Sequence, residues 1–157
     1  MLSFLKKSIL LSMFLLVFFS FSLTADIIQS QESNQNEEIV AELINLRISN
    51  NIITLKFKIR NKSTKADKLN FYYKDCFIID EKNQKKYYIL KDSEGKYIGG
   101  PCSSYSDGGR FEYWIYPQKV KSLWVKLPLP TDNPETISIT LPGFLPFEGI
   151  KISSDKK

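Results

Sequence analysis

The chain has 157 residues, a formal net charge of +5 at pH 7, two cysteines and no histidine. This length suits one domain with its own apolar core. Without histidine, Ser-His and Cys-His nucleophile pairs are excluded, and the commonest general base and metal ligand are missing. The lysines are scattered rather than clustered, so the mild positive charge does not indicate nucleic acid as a partner.

The N-terminus predicts a secretory signal-peptide helix over residues 1–25. Lys6 and Lys7 precede a mainly apolar run over residues 9–23, and Ala25 places a small residue at the cleavage position. We therefore expect an exported protein, either periplasmic or secreted. The alternative is an uncleaved membrane anchor, although a spanning helix needs about 20 apolar residues. Cleavage removes two lysines and no acids, which lowers the formal charge from +5 to +3.

Three further segments follow the signal. Residues 26–37 are rich in Gln, Asn and Ser and predict a flexible polar segment, because they offer little apolar surface to bury. Residues 38–152 predict a β-sandwich domain, and residues 153–157 a charged tail. A membrane would be contacted only through the signal segment, and only if that segment stays uncleaved.

The dominant hydrophobic period after residue 38 is two, which is typical of half-buried strands. Residues 51–60 alternate most cleanly, and Ser49-Asn50-Asn51 before them predicts a tight hairpin because Asn tolerates positive φ. The apolar face comprises Ile53, Leu55, Phe57 and Ile59, and the polar face Thr54, Lys56, Lys58 and Arg60. We interpret the basic face as a solvated strand face, with a binding surface as the alternative.

The remaining chain predicts short strands between polar turns, so the fold class is all-β. We expect seven to nine short strands in an antiparallel, immunoglobulin-like β-sandwich, with a barrel less favoured and no helix beyond the signal. A third strand region covers residues 69–80. Asp75 falls there on the apolar parity, which indicates a bulge or an edge position nearby.

The two cysteines, Cys76 and Cys102, predict one disulfide, because an exported chain with an even cysteine count normally pairs them. The alternative is two separate buried thiols. Neither a zinc site nor a redox pair is indicated, because no CxxC spacing exists. Asn61-Lys62-Ser63 matches the N-glycosylation sequon, which would matter only in a eukaryotic secretory pathway.

Four stretches of the chain resemble a known family. They are ITLKFKIRN (53–61), YYILKDSEGK (87–96), WVKLPLP (124–130) and ITLPGFLPFEGI (139–150). They are similar to exported bacterial β-sandwich domains of the immunoglobulin-like type, found beside lipoproteins and cell-envelope proteins. The resemblance implies a fold over residues 38–152 and brings no catalytic residues. The cysteine pair is not part of the family pattern.

Carboxylates offer the remaining route to catalysis or metal binding. Asp80-Glu81 and Asp92/Glu94 lie in predicted turns, where solvent and lysines surround them. A carboxylate pair can hydrolyse a glycoside when a cleft holds the two groups about 5–9.5 Å apart. Without a DxDxDG loop, a calcium site is also disfavoured. We predict no catalytic residue, no metal and no cofactor.

Aromatic residues are the last feature, because their number exceeds the needs of one small core. Trp114 and Trp124 have outward parity and, with Tyr113 and Tyr116, form the candidate binding platform. The alternative is that most of the aromatic side chains pack between the two sheets or cover their edges. The sequence therefore predicts a non-enzymatic binding or accessory module at the cell envelope, whose partner is another envelope protein or a glycan. The alternatives are a carbohydrate-active or Ca²⁺-dependent enzyme domain, and a membrane-anchored structural envelope protein.

Overall fold

The computed structural model describes residues 26–152, and the strands in this part of the chain pair antiparallel throughout. The predicted signal peptide (1–25) and charged tail (153–157) lie outside the described residues. The strands are β1 (Gln29–Glu32), β2 (Ile39–Ser49), β3 (Ile52–Asn61), β4 (Asp67–Tyr72), β5 (Phe77–Asp80), β6 (Lys85–Tyr88), β7 (Gly99–Gly100), β8 (Arg110–Ile115), β9 (Val120–Pro128), β10 (Thr136–Thr140) and β11 (Phe147–Lys151). The prediction of an all-β fold is confirmed.

Two short 3₁₀ turns, Tyr73–Asp75 and Ser106–Gly108, are the helical elements within residues 26–152. The described part has eleven strands, which is more than the seven to nine expected. The additional strands are short: β1 has four residues and β7 has two. Neither carries an apolar alternation, so the hydrophobic period could not indicate them.

The strands form three sheets around one core. The largest has the order β1-β2-β3-β9-β7, a second has the order β11-β10-β5-β6, and the third pairs β4 with β8. All three sheets contribute to the same apolar cluster. Phe57 of β3 meets Phe147 of β11 with ring centroids 5.4 Å apart, and Phe71 of β4 stacks on Phe111 of β8 at 4.9 Å.

The predicted hairpin at Ser49-Asn50-Asn51 is confirmed. β2 and β3 pair up to Ser49 opposite Ile52, and Asn50 and Asn51 both take positive φ, at 52° and 59°. Two successive residues in the left-handed region are the signature of the turn that matches the twist of the flanking strands. The alternating residues of β3 then divide as the sequence predicts, with the apolar set buried.

The chain changes sheet in the middle of the predicted third strand region. β4 pairs with β8, whereas β5 pairs with β10 and β6, and the turn Tyr73–Asp75 separates them. Asp75, which broke the apolar parity, lies exposed in that turn. Tyr73 points into the core and is fully buried, and its hydroxyl donates to the carbonyl of Pro101 at 2.9 Å.

Strand β1 corrects the expected flexible segment over residues 26–37. Gln29–Glu32 pair with β2 as an edge strand, and the Gln31 side chain donates to the carbonyl of Pro146 at 2.7 Å. Backbone pairing needs no apolar side chain, so a polar sequence can form an edge strand wherever a neighbouring strand leaves hydrogen-bonding groups open. The ordered domain therefore begins before Glu38.

The predicted disulfide is wrong, because Cys76 and Cys102 are both free. Cys76 is 3% exposed and lies in the core beside Leu55, Phe57 and Val125. Cys102 is half-buried in the loop after β7, where its thiol contacts the carbonyl oxygen of Ser104 at 2.8 Å. The turn after β4 carries Cys76 into the apolar interior, and no pattern in the sequence reveals that turn's direction.

Free thiols lead to a direct expectation. In the native protein, a thiol reagent should modify Cys102 much faster than Cys76, because burial raises the pKa of the Cys76 thiol and shields it. Denaturant without reductant should expose two thiols per chain, and reductant should leave the melting temperature unchanged. If a denatured, unreduced sample has no titratable thiols, the two cysteines form a disulfide after all.

Candidate functional site

Trp124 lies on the outer face of the largest sheet, as its parity in the sequence predicted. It stands in β9 opposite Lys56 of β3 and Gly100 of β7, and it is 38% exposed. A Cβ added at Gly100 would lie 3.0–3.4 Å from three indole atoms, Nε1, Cε2 and Cζ2. The indole therefore packs against the backbone of β7, with Nε1, Cε2 and Cζ2 as the nearest atoms, and part of the ring stays open to solvent.

The residues around Trp124 make this face basic. The three strands β2, β3 and β9 contain one acidic residue, Glu42, and Arg60 binds it through two hydrogen bonds of 3.1 and 3.2 Å. That contact raises the pKa of the Arg60 guanidinium. Four further cations share the outer face: Arg47, Lys56, Lys58 and Lys126. Within residues 26–152, none of these four contacts a carboxylate.

At one end of the face, an open depression of about 260 Å³ lies between Arg47 and Lys126. Ser49, Asn50 and Thr54 add polar groups to its wall. Arg47 was not singled out in the sequence, because β2 has an irregular register between Leu43 and Asn45. This irregularity shifts the side-chain alternation, so Arg47 could be placed beside Thr54 and Lys126 only from the pairing of the strands.

Trp114 belongs to a different sheet. It stands in β8 opposite Lys68 of β4 and is 57% exposed on the side away from the core. The polar groups beside it satisfy one another, since Lys68 forms an ion pair with Glu112 and Arg110 donates to Asn70 at 2.6 Å. The structure therefore does not place Trp114 and Trp124 on one platform, and the charges near Trp114 are already paired.

Tyr113 and Tyr116, the other two members of the predicted platform, are also separated from Trp124. Tyr113 has inward parity, packs against Phe111 with ring centroids 4.9 Å apart, and is covered by Lys121, whose Nζ lies 3.9 Å from the ring centre. Tyr116 is 61% exposed in the turn after β8. Of the four predicted platform residues, Trp124 is the one that the described structure places on the basic face of the largest sheet.

The carboxylates of the β5–β6 turn stabilise the turn itself. Asp80 is fully buried and accepts hydrogen bonds from Asn83, from the backbone at 3.1 Å and from the side chain at 2.7 Å. These bonds, with the side-chain bond as the largest cause, hold the pKa of Asp80 below its ordinary value. Glu81 contacts the hydroxyl of Ser138. Asp80 and Glu81 therefore do not line a shared open cleft.

The second acidic turn has the same character. Asp92 accepts from the backbone amides of Glu94 and Lys96, both at 2.9 Å, and Glu94 pairs with the ammonium group of Lys96. Across the described residues, no three Cys, Asp or Glu side chains converge as a metal-binding group would require. The acids considered for hydrolysis and for Ca²⁺ binding thus serve local turn geometry.

Asn61 shows that the sequon is part of the fold. Its side chain is fully buried, and Nδ2 donates to the carbonyls of Lys65 at 2.8 Å and Ile115 at 2.7 Å. Its Oδ1 accepts from the amide of Ser63 at 2.8 Å. Both amide hydrogens are committed, so the folded chain leaves no room for a glycan on this nitrogen.

Comparison with protein-family models, with curated proteins and with solved structures gave no match. Among residues 26–152 there is also no helix with the length and apolar character to cross a membrane. The class of protein that the observations define is an antiparallel all-β protein with an open, tryptophan-bearing basic sheet face.

Proposed function

We propose that this protein is a non-enzymatic, exported β-sandwich of the immunoglobulin-like type that serves as a binding or accessory module at the cell envelope. The observation that carries the proposal is the outer face of β3 and β9, where the partly exposed Trp124 lies among cations that contact no carboxylate within residues 26–152. A rigid sheet that presents an aromatic ring and unpaired charges is suited to bind a partner without reorganisation.

Three features support the individual parts of the proposal. Antiparallel sheets around a shared core are typical of sandwiches. The resemblance over residues 38–152 and the signal pattern over residues 1–25 favour export. The involvement of Asp80, Glu81, Asp92 and Glu94 in turns disfavours the hydrolytic alternative.

A sedimentation experiment tests this function. The full chain is expressed in a bacterium, recovered from the exported fraction, and mixed with isolated envelopes of the same cells. We expect saturable co-sedimentation that Trp124→Ala weakens by about tenfold, since aromatic anchors are energetic hot spots. Trp114→Ala is the matched control, because it removes an equally exposed indole from the other sheet.

Three results would contradict the proposal. Retention of the protein in the cytosol would remove the envelope as its site of action. Equal sedimentation of wild type and Trp124→Ala would remove the face as the binding surface. Release of soluble sugars from the envelopes, lost on Asp92→Ala or Glu94→Ala, would make the protein a hydrolase instead.

A further inference from the structure

The positive charge of the binding face limits the classes of ligand that it can bind. Its strands carry Arg47, Lys56, Lys58 and Lys126 on the outer side, and within the described chain these cations meet no carboxylate. Surface cations usually stand among acids of opposite sign, which limits their attraction for other partners. Glu42 stands opposite Lys58 but is bound by Arg60, so the four cations have no ion-pair partner in the described chain and favour an anionic ligand by charge complementarity.

The packing of Trp124 distinguishes between anionic ligands. Its indole packs against the backbone of Gly100 in the paired strand β7 and is 38% exposed, so more than half of the side chain is covered by the sheet. A side chain that anchors a protein in a bilayer has to reach into the headgroup region with its apolar end. An indole that is packed on the sheet and partly accessible is better suited to contact the apolar C–H groups of a sugar ring.

We propose that the outer face of β3 and β9 binds an acidic polysaccharide, with a sugar ring stacked on Trp124 and its acid groups on the surrounding cations. The proposal rests on the binding function proposed above and names the ligand class of the same face. Carboxylate groups of uronic acids are ionised at neutral pH, so each can form a charge-assisted hydrogen bond with a Lys or Arg side chain.

The geometry of the sheet suits an extended chain. Alternate residues on one strand are about 7 Å apart and neighbouring strands about 5 Å apart, so Lys56 and Lys58 present their charges in a regular array. Trp124 stands beside Lys56 in the same row of the sheet. The neighbouring row contains Arg47, Thr54 and Lys126, and its depression of about 260 Å³ can hold one acid group of the same ligand.

The test is a titration of the full chain with three probes: alginate as a polyuronate, dextran as a neutral polysaccharide, and vesicles of phosphatidylglycerol. We expect binding to alginate alone, weakened by at least about fivefold when salt is raised from 0.05 to 0.5 M, because the Debye length shortens. Trp124→Ala should weaken binding about tenfold, and Lys56→Glu with Lys126→Glu by a similar factor.

Two control variants distinguish binding at this face from binding through net charge or through any exposed aromatic side chain. Trp114→Ala removes an exposed indole elsewhere, and Lys82→Glu reverses an exposed charge in the β5–β6 turn. Both should bind alginate like the wild type. If Lys82→Glu is as weak as the double variant, net charge explains the binding and the site is refuted.

The remaining outcomes also decide the proposal. Equal binding to dextran would remove the acid groups from the recognition, and binding to vesicles in place of alginate would make the ligand a membrane surface. If the protein binds envelopes and alginate does not compete with that binding, the proposed binding function stands and the proposal of an acidic polysaccharide as the ligand is wrong. If the wild-type protein binds neither envelopes nor alginate, both the proposed binding function and the proposed ligand class are wrong.

Discussion

Replacing Phe57 with alanine is expected to lower the free energy of unfolding by about 3–5 kcal/mol. Phe57 is 1% exposed in β3, which pairs with β2 on one side and β9 on the other. Its ring packs on Phe147 of β11, so one side chain joins the largest sheet to the four-stranded sheet. Since small domains have total stabilities of about 5–15 kcal/mol, this single cavity would remove a large share.

Urea denaturation of the full chain measures this effect as a lower transition midpoint at an unchanged slope. Tyr116→Ala is the matched control, because it deletes an aromatic ring that is 61% exposed and should change stability by about 0.5 kcal/mol at most. If Phe57→Ala and Tyr116→Ala unfold at the same denaturant concentration, the contact between β3 and β11 does not hold the sheets together.

The features that the sequence predicted correctly are local. The hairpin between β2 and β3 follows from Asn50 and Asn51, because a two-residue turn and the alternation beside it lie within one short stretch. The outward position of Trp124 follows from the same period of two. A strand's own pattern determines which side of it is buried, so these predictions required no knowledge of distant partners.

The errors all depend on contacts between distant parts of the chain. Strand β1 exists because β2 offers it an open backbone edge, and Cys76 is directed into the core by a turn between two sheets. Trp114 and Trp124 are ten positions apart and both face outwards, yet they lie on different sheets. Which strands become neighbours is decided by pairing across the whole domain, and the period of one strand carries no information about it.

Asn61 is a buried polar residue whose sequence context also matches the N-glycosylation sequon. It ends β3, and its side chain links the following loop to the last residue of β8 through Lys65 and Ile115. Asn61→Ala should lower the free energy of unfolding by about 2–4 kcal/mol, since it removes the Asn61 bonds to the Ser63 amide and to the carbonyls of Lys65 and Ile115 in a buried site, and only the Lys65 carbonyl keeps the Ser63 hydroxyl as a donor.

Asn61→Asp provides a further test, because the direction in which its stability changes with pH can be predicted. Burial disfavours the charged form, so the pKa of the new carboxyl is raised in the folded state above the unfolded value of about 3.9. Below that value the carboxyl is neutral, donates to one carbonyl and still accepts from Ser63, so the variant should be more stable than Asn61→Ala. As the pH rises through the folded pKa this advantage is lost, because folding must bury a charge that faces two carbonyl oxygens. Urea unfolding of both variants between pH 3 and pH 8 should therefore show their order of stability reverse, whereas a constant order would mean that water reaches Asn61.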